Sequence, residues 1–200
     1  MSAPIRPRVL ITKRLTEPVE RALAERFEIL NSPGHDPVSI GLAASGFDPH
    51  ALVVRDDLPA DICERAPSLL HVARHGVGLD VIPMAQCAHH QVTVSNVPGG
   101  NAVSVAEWCV AQMLALTHSL PQIGASMRER GWGATRTAFS GRAHDLSGRQ
   151  VGLIGCGAIG GALARMLHFG FGVRVTAFVR SPDKLPAYVK ALDWQACVSQ

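Results

Sequence analysis

Residues 151–167 read VGLIGCGAIGGALARML, a strand-like apolar run that passes through Gly155-x-Gly157-x-x-Gly160 into a pattern with helical spacing. In a strand–turn–helix unit each glycine of this spacing has a physical task. Gly155 makes the tight turn, Gly157 lets a pyrophosphate approach bare backbone, and Gly160 lets the helix pack close to the sheet. The amides of the helix N-terminus then face the phosphates. The stretch therefore predicts the opening of a dinucleotide-binding Rossmann unit. Only 40 residues follow Gly160. They hold one further clear strand, 174–179, so two of the roughly six strands of a full sheet are expected. The final KALDWQACVSQ is read as the approach to a third strand.

Upstream, short β-type runs at 9–12, 27–31, 51–54, 69–73 and 92–97 alternate with segments of helical spacing. That alternation predicts a parallel sheet with helices on both faces, and residues 1–100 read as one small α/β domain. Thr16-Glu17-Pro18 suits a helix start. Ser104-Val-Ala-Glu107 has the spacing of a capping box. The helix after it is apolar over most of its circumference and is expected to be buried between domains or subunits. Pro121 bends or ends that helix, and a second short one runs to Arg130. Residues 101–200 are thus assigned to the second, incomplete domain.

With 47% hydrophobic and 18% charged residues, the 200-residue chain has the composition of a folded globular protein. Its 19 basic and 16 acidic residues give a net charge of +3 without any long run of Lys or Arg, which argues against nucleic acid as a partner. Residues 102–120 are the most apolar long stretch, but Glu107, Gln112 and His118 interrupt them, so a buried helix and no membrane span is expected. Five cysteines without a CxxC pair indicate neither a disulfide framework nor a zinc site. The N-terminus shows no signal peptide, and a reducing cytoplasm is the expected location. The nine histidines suggest no metal site. His71 and His75 flank a strand, and His89-His90 ends a predicted helix.

Three stretches in this order resemble the D-isomer-specific 2-hydroxyacid dehydrogenases, the family that includes phosphoglycerate and formate dehydrogenases and glyoxylate/hydroxypyruvate reductases. They are Arg74-His-Gly76-Val77-Gly78-Leu-Asp80, then Asn96-Val-Pro-Gly-Gly-Asn101 leading into Ser104-Val-Ala-Glu107, then Leu146-Ser-Gly-Arg149 leading into the glycine motif. The resemblance implies a flavodoxin-like substrate domain, a Rossmann NAD(P)-binding domain and a cleft where a 2-oxo acid meets the nicotinamide. It implies that the backbone amides of Val77 and Gly78 hold the substrate carboxylate, with Val77 also near the nicotinamide. Two glycines do free a backbone to form such an anion nest. Asn101 matches the family's asparagine at the cleft edge, or serves as a helix N-cap. Ala158 and Ile159 stand where relatives often carry Arg-Ile, and would touch the pyrophosphate through backbone amides alone. Cys156 fills a variable loop position as a small spacer.

About 20 residues past Gly160, where an NAD site places an acid for the ribose 2′-hydroxyl, the chain has Val179 followed by Arg180 and Ser181. Without a carboxylate the 2′-phosphate of NADP meets no repulsion, and Arg180 and Ser181 can bind it by charge-assisted hydrogen bonds. NADP is therefore favoured over NAD. Reduction of a 2-oxo acid also needs a cation to polarise the carbonyl and an acid to protonate the alkoxide. In the resembled family these are an Arg and a His steered by a Glu, all expected past Gln200. The chain is then the N-terminal part of an NAD(P)-linked enzyme acting on the CH–OH group of 2-hydroxy acids, inactive by itself and a homodimer when complete through the helix at 104–120. The alternative is a noncatalytic fragment or module that binds dinucleotide weakly or acts by association.

Overall fold

The structure is a computed structural model and describes residues 6–198. The chain divides into two compact units, one up to Gly100 and one from Asn101 onward.

In the first unit β1 (Arg8–Ile11), α1 (Glu17–Ala24), β2 (Glu28–Asn31), α2 (Pro37–Phe47), β3 (Ala51–Val54), α3 (Ile62–Arg65), β4 (His71–Arg74), α4 (Met84–His89) and β5 (Thr93–Ser95) follow in turn. All five strands are parallel, in the order β2-β1-β3-β4-β5, which is the flavodoxin-like arrangement. Period-two alternation divides the strands between two faces. Leu10, Leu52, Val72 and Val94 pack with Ile40, Ala44 and Ile62 from α2 and α3. Thr12 follows β1 with no exposed surface. Its hydroxyl donates to Asp56 Oδ2 at 3.0 Å and accepts from the Arg55 amide at 3.0 Å, so it ties the ends of β1 and β3 together.

Thr16 does occupy the N-cap position of α1, yet its side chain makes no cap bond. Glu20 reaches back instead to the Leu15 amide at 2.9 Å and to Arg14 at 3.1 Å. At the far end of α2, Asp48 adopts a left-handed conformation (φ 44°). Its carboxylate accepts from the Ser68 hydroxyl at 2.6 Å, the Ser68 amide at 2.9 Å and Arg8 at 3.1 Å. The Ser68 bonds foremost hold the Asp48 carboxyl below the usual carboxylate range.

The second unit contains α5 (Ala102–Thr117), α6 (Leu120–Phe139), β6 (Gln150–Ile154), α7 (Ala158–Arg165), β7 (Arg174–Phe178), β8 (Val189–Ala191) and α8 (Trp194–Val198). The capping-box expectation is overturned. Here α5 begins at Ala102 after Asn101, so Ser104 and Glu107 lie inside the helix. Pro121 starts α6 rather than ending α5, and α6 continues past Arg130 to Phe139 across a kink at Gly131 (φ 73°). Only Ala102 and Ala106 of α5 are buried, whereas Trp108 and Leu116 are 63% and 79% exposed.

The sheet of this unit has three parallel strands in the order β6-β7-β8. Residues 189–191, partly within the segment read only as an approach, form the third strand, with Ala177 opposite Ala191. Their pairing with β7 supplies what three residues of local propensity cannot. Leu153, Val175 and Ala177 pack with Ala106, Leu163 and Leu167 beneath this sheet. Among the described residues no helix is long and apolar enough to cross a membrane.

Candidate functional site

In the second unit, β6 delivers the chain to Gly155, whose φ of 91° lies where L side chains are strained. The Gly155 amide donates to Phe178 O at 2.9 Å, so the turn is fastened to the end of β7. Gly157 is the N-cap of α7, and a Cβ built on it meets nothing within 4 Å. A Cβ at Gly160 would lie 2.5 Å from Gly155 O. The first turn of α7 thus rests directly on the carbonyl of the first glycine. The Ala158 and Ile159 amides donate to no other described residue, as expected for the first turn of a helix. Open space beside Gly157 and outward-facing amides form a cradle that fits a pyrophosphate.

The cradle continues into a cavity of about 450 Å³ lined by Gly155, Cys156, Gly157, Val179, Arg180 and Ser181, with Lys184 beside them. Arg180 is exposed at its rim. Val179 is half-buried and also packs against the apolar cluster under the sheet. Sequence reasoning missed Lys184. It ends the single 3-10 turn Pro182–Lys184, and its amide bonds Ser181 O at 3.2 Å. Ser181 and Lys184, at either end of this turn, both line the cavity. Burial pushes the Cys156 thiol up, which keeps it protonated and agrees with a spacer rather than a nucleophile.

In the first unit, the segment Gly76–Asp80 follows β4. A Cβ at Gly78 would lie 2.5 Å from Asp80 Oδ1. Arg74 braces this loop from within. Its Nε donates to Gly78 O at 2.8 Å and its Nη1 to Val54 O at 3.0 Å. The Val97 amide donates to Gly76 O at 3.0 Å, and Asn96 Nδ2 donates to Val77 O at 2.7 Å. The amides of Val77 and Gly78 donate to no other described residue, and both residues are exposed. Asn101 belongs to the second unit, where it holds the N-cap position of α5 without a side-chain cap bond. The role of Asn96 was also missed. Its partner lies 19 positions away, a proximity that only the pairing of β4 with β5 creates.

His71 bonds the hydroxyls of Thr93 and Ser95 at 2.7 and 2.9 Å across the sheet. Among the described residues no group of three His, Cys, Asp or Glu could hold a metal ion.

The chain is similar to D-3-phosphoglycerate dehydrogenase from Mycobacterium bovis, at 35% identity over 180 residues, 89% of this chain and 32% of that protein. It spans about a third of that relative's length. Its fold is similar to an NADPH-dependent glyoxylate/hydroxypyruvate reductase from Sinorhizobium meliloti, with a TM-score of 0.76 at 29% identity, covering 94% of this chain and 58% of that one. An NAD-dependent formate dehydrogenase from Staphylococcus aureus shares the fold with a TM-score of 0.77 at 22% identity, covering 96% and 62%. Residues 9–165 match the family described as D-isomer specific 2-hydroxyacid dehydrogenase, catalytic domain, and the chain belongs to that family.

Proposed function

We propose that the protein is an oxidoreductase that interconverts 2-oxo and 2-hydroxy acids, with a nicotinamide dinucleotide as hydride carrier and NADP preferred. The first unit, residues 1–100, is the substrate domain, and the second, 101–200, opens the cofactor domain. The observation that carries this is the continuity of the Gly155–Gly160 cradle with the cavity at Val179–Arg180–Ser181. The cradle suits the pyrophosphate, held by backbone amides of Ala158 and Ile159. Past it the 2′-phosphate of NADP meets Arg180, Ser181 and Lys184 and no carboxylate at position 179. Relatives with either cofactor in their names are found, so the preference rests on these residues.

In the substrate domain the amides of Val77 and Gly78 hold the 2-oxo acid's carboxylate, Val77 also approaches the nicotinamide, and Asn101 adds a further polar contact. By the family resemblance, the Arg, Glu and His of carbonyl polarisation and proton transfer are expected past Gln200. This stretch alone therefore binds dinucleotide without turning it over. We also propose a homodimer formed through α5, which borders an apolar hollow of about 810 Å³ lined by Val110, Leu114, Met166, Phe169 and Phe171. A cytoplasmic location is proposed with it, in keeping with the free thiols of Cys63, Cys87, Cys109 and Cys156.

Fluorescence titration with NADPH and NADH tests the cofactor reading. NADPH should bind residues 1–200 about tenfold more tightly, the difference that roughly one charge-assisted hydrogen bond supplies. Arg180→Gln with Lys184→Gln should abolish the difference, and Val179→Asp added to them should reverse it. Equal affinities in the unmodified chain would refute the preference. Consumption of NADPH by residues 1–200 with glyoxylate or hydroxypyruvate would refute the assignment of the proton-transfer groups elsewhere.

A further inference from the structure

The peptide planes of the Gly76–Gly78 loop are held by residues that lie outside the loop. A trans peptide is planar, and its C=O and N–H point in opposite directions. Whatever fixes the carbonyl of one residue therefore fixes the direction of the next residue's amide. Gly76 O accepts from the Val97 amide at 3.0 Å, and this aims the Val77 N–H the other way. Val77 O accepts from Asn96 Nδ2 at 2.7 Å, and this aims the Gly78 N–H in turn. Without these two acceptor bonds the glycines on either side would let both planes rotate, since glycine tolerates either sign of φ. One of the two tethers is backbone to backbone and survives substitution. The other depends on a single side-chain amide.

We infer that Asn96 is a positioning residue for the carboxylate site: its Nδ2, by holding Val77 O, aims the Gly78 amide at the bound anion, while the Val77 amide is aimed independently by the backbone of Val97. The inference rests on Val77 and Gly78 forming the carboxylate cradle. Asn96 does not touch the anion. It lowers the cost of binding by fixing beforehand a donor that a free loop would have to order.

The two tethers are separable, and that separates positioning from general support of the fold. The probe is oxalate, a planar dicarboxylate that resembles a 2-oxo acid, titrated into ¹⁵N-labelled protein while the amide resonances of Val77 and Gly78 are followed. In the unmodified protein both resonances should shift with oxalate. In Asn96→Ala the Val77 shift should persist, the Gly78 shift should fall by more than half, and oxalate should bind about tenfold more weakly, the loss of roughly one hydrogen bond to a charged group. The melting temperature and NADPH affinity should remain as in the unmodified protein.

Equal oxalate shifts at both amides in Asn96→Ala would overturn the inference, because Gly78 would then be aimed without Asn96. Loss of both shifts together with a lowered melting temperature would overturn it too, since that is the signature of a purely structural residue. If oxalate shifts neither amide even in the unmodified protein, the carboxylate cradle itself fails. That failure is distinct from the failure of Asn96 to aim one of its donors.

Discussion

Gly160→Ala and Gly161→Ala form a matched pair that weighs the packing of the glycine turn against helix propensity. Both residues lie in the first turns of α7, so each alanine gains about 1 kcal/mol of helix preference over glycine. Their surroundings differ. A Cβ at Gly161 meets nothing within 4 Å, whereas one at Gly160 would lie 2.5 Å from Gly155 O. To reach an ordinary contact of 3.4 Å, the helix start and the turn must part by about 0.9 Å, the difference between those two distances. The opposing atom is backbone, and the Gly155 amide is tied to Phe178 O at 2.9 Å, so neither side yields freely. Overpacking of this kind costs about 1–3 kcal/mol. Propensity cancels between the two variants, so Gly160→Ala should be less stable than Gly161→Ala by about 1–3 kcal/mol. Urea denaturation followed by circular dichroism measures that difference directly, since midpoints at unchanged slope report stability alone. Displacing the Ala158 and Ile159 amides should also weaken NADPH binding by Gly160→Ala. Equal midpoints for the two variants would refute the close contact of α7 with Gly155.

Thr12→Val keeps the shape of a fully buried side chain but leaves the Arg55 amide without its acceptor, and should cost about 1–3 kcal/mol in the same assay. Thr12→Ser retains the hydroxyl and should recover most of that loss, and a Thr12→Val protein as stable as the Ser variant would contradict the bridge. Asp48 has its pKa lowered in the folded state, first by the Ser68 hydrogen bonds, so its contribution is present above the unfolded carboxyl value of about 3.9 and is lost as pH falls through the folded one. Asp48→Asn preserves the tolerance of a left-handed backbone and should flatten the decline of stability below about pH 4. Superimposable acid profiles for variant and parent would remove Asp48 from the account.

The features that sequence made legible share a cause. β3 was expected at 51–54 and occupies Ala51–Val54, and the apolar run that opens at Val151 lies in β6, Gln150–Ile154, because an apolar run between turn-forming residues is a local property. The glycine turn was equally local, since spacing alone distinguishes Gly155, Gly157 and Gly160. What escaped was set by distance or by position within an element. Ser104 and Glu107 have the same spacing whether they cap a helix or lie within its first turns, and only the start at Ala102 decides between them. Strand β8 has three residues and takes its conformation from β7. Lys184 lines the same cavity as Gly155 and Arg180 because a single 3-10 turn after Ser181 brings the chain back beside the end of β7.

Asn96 shows why the remainder of the site was harder to read than its motif. In both proposed cradles the donors are backbone N–H groups, so the glycines mark where a loop can present them and say nothing of where they point. Direction is set by whatever takes the preceding carbonyl. For the Gly78 amide that carbonyl is Val77 O, and it is taken by Asn96, from the end of the neighbouring strand. A motif of small residues thus records the freedom of a loop, whereas its function depends on the partners that remove this freedom. Those partners lie in the adjoining strand and loop, where a reading by spacing alone finds only one more asparagine.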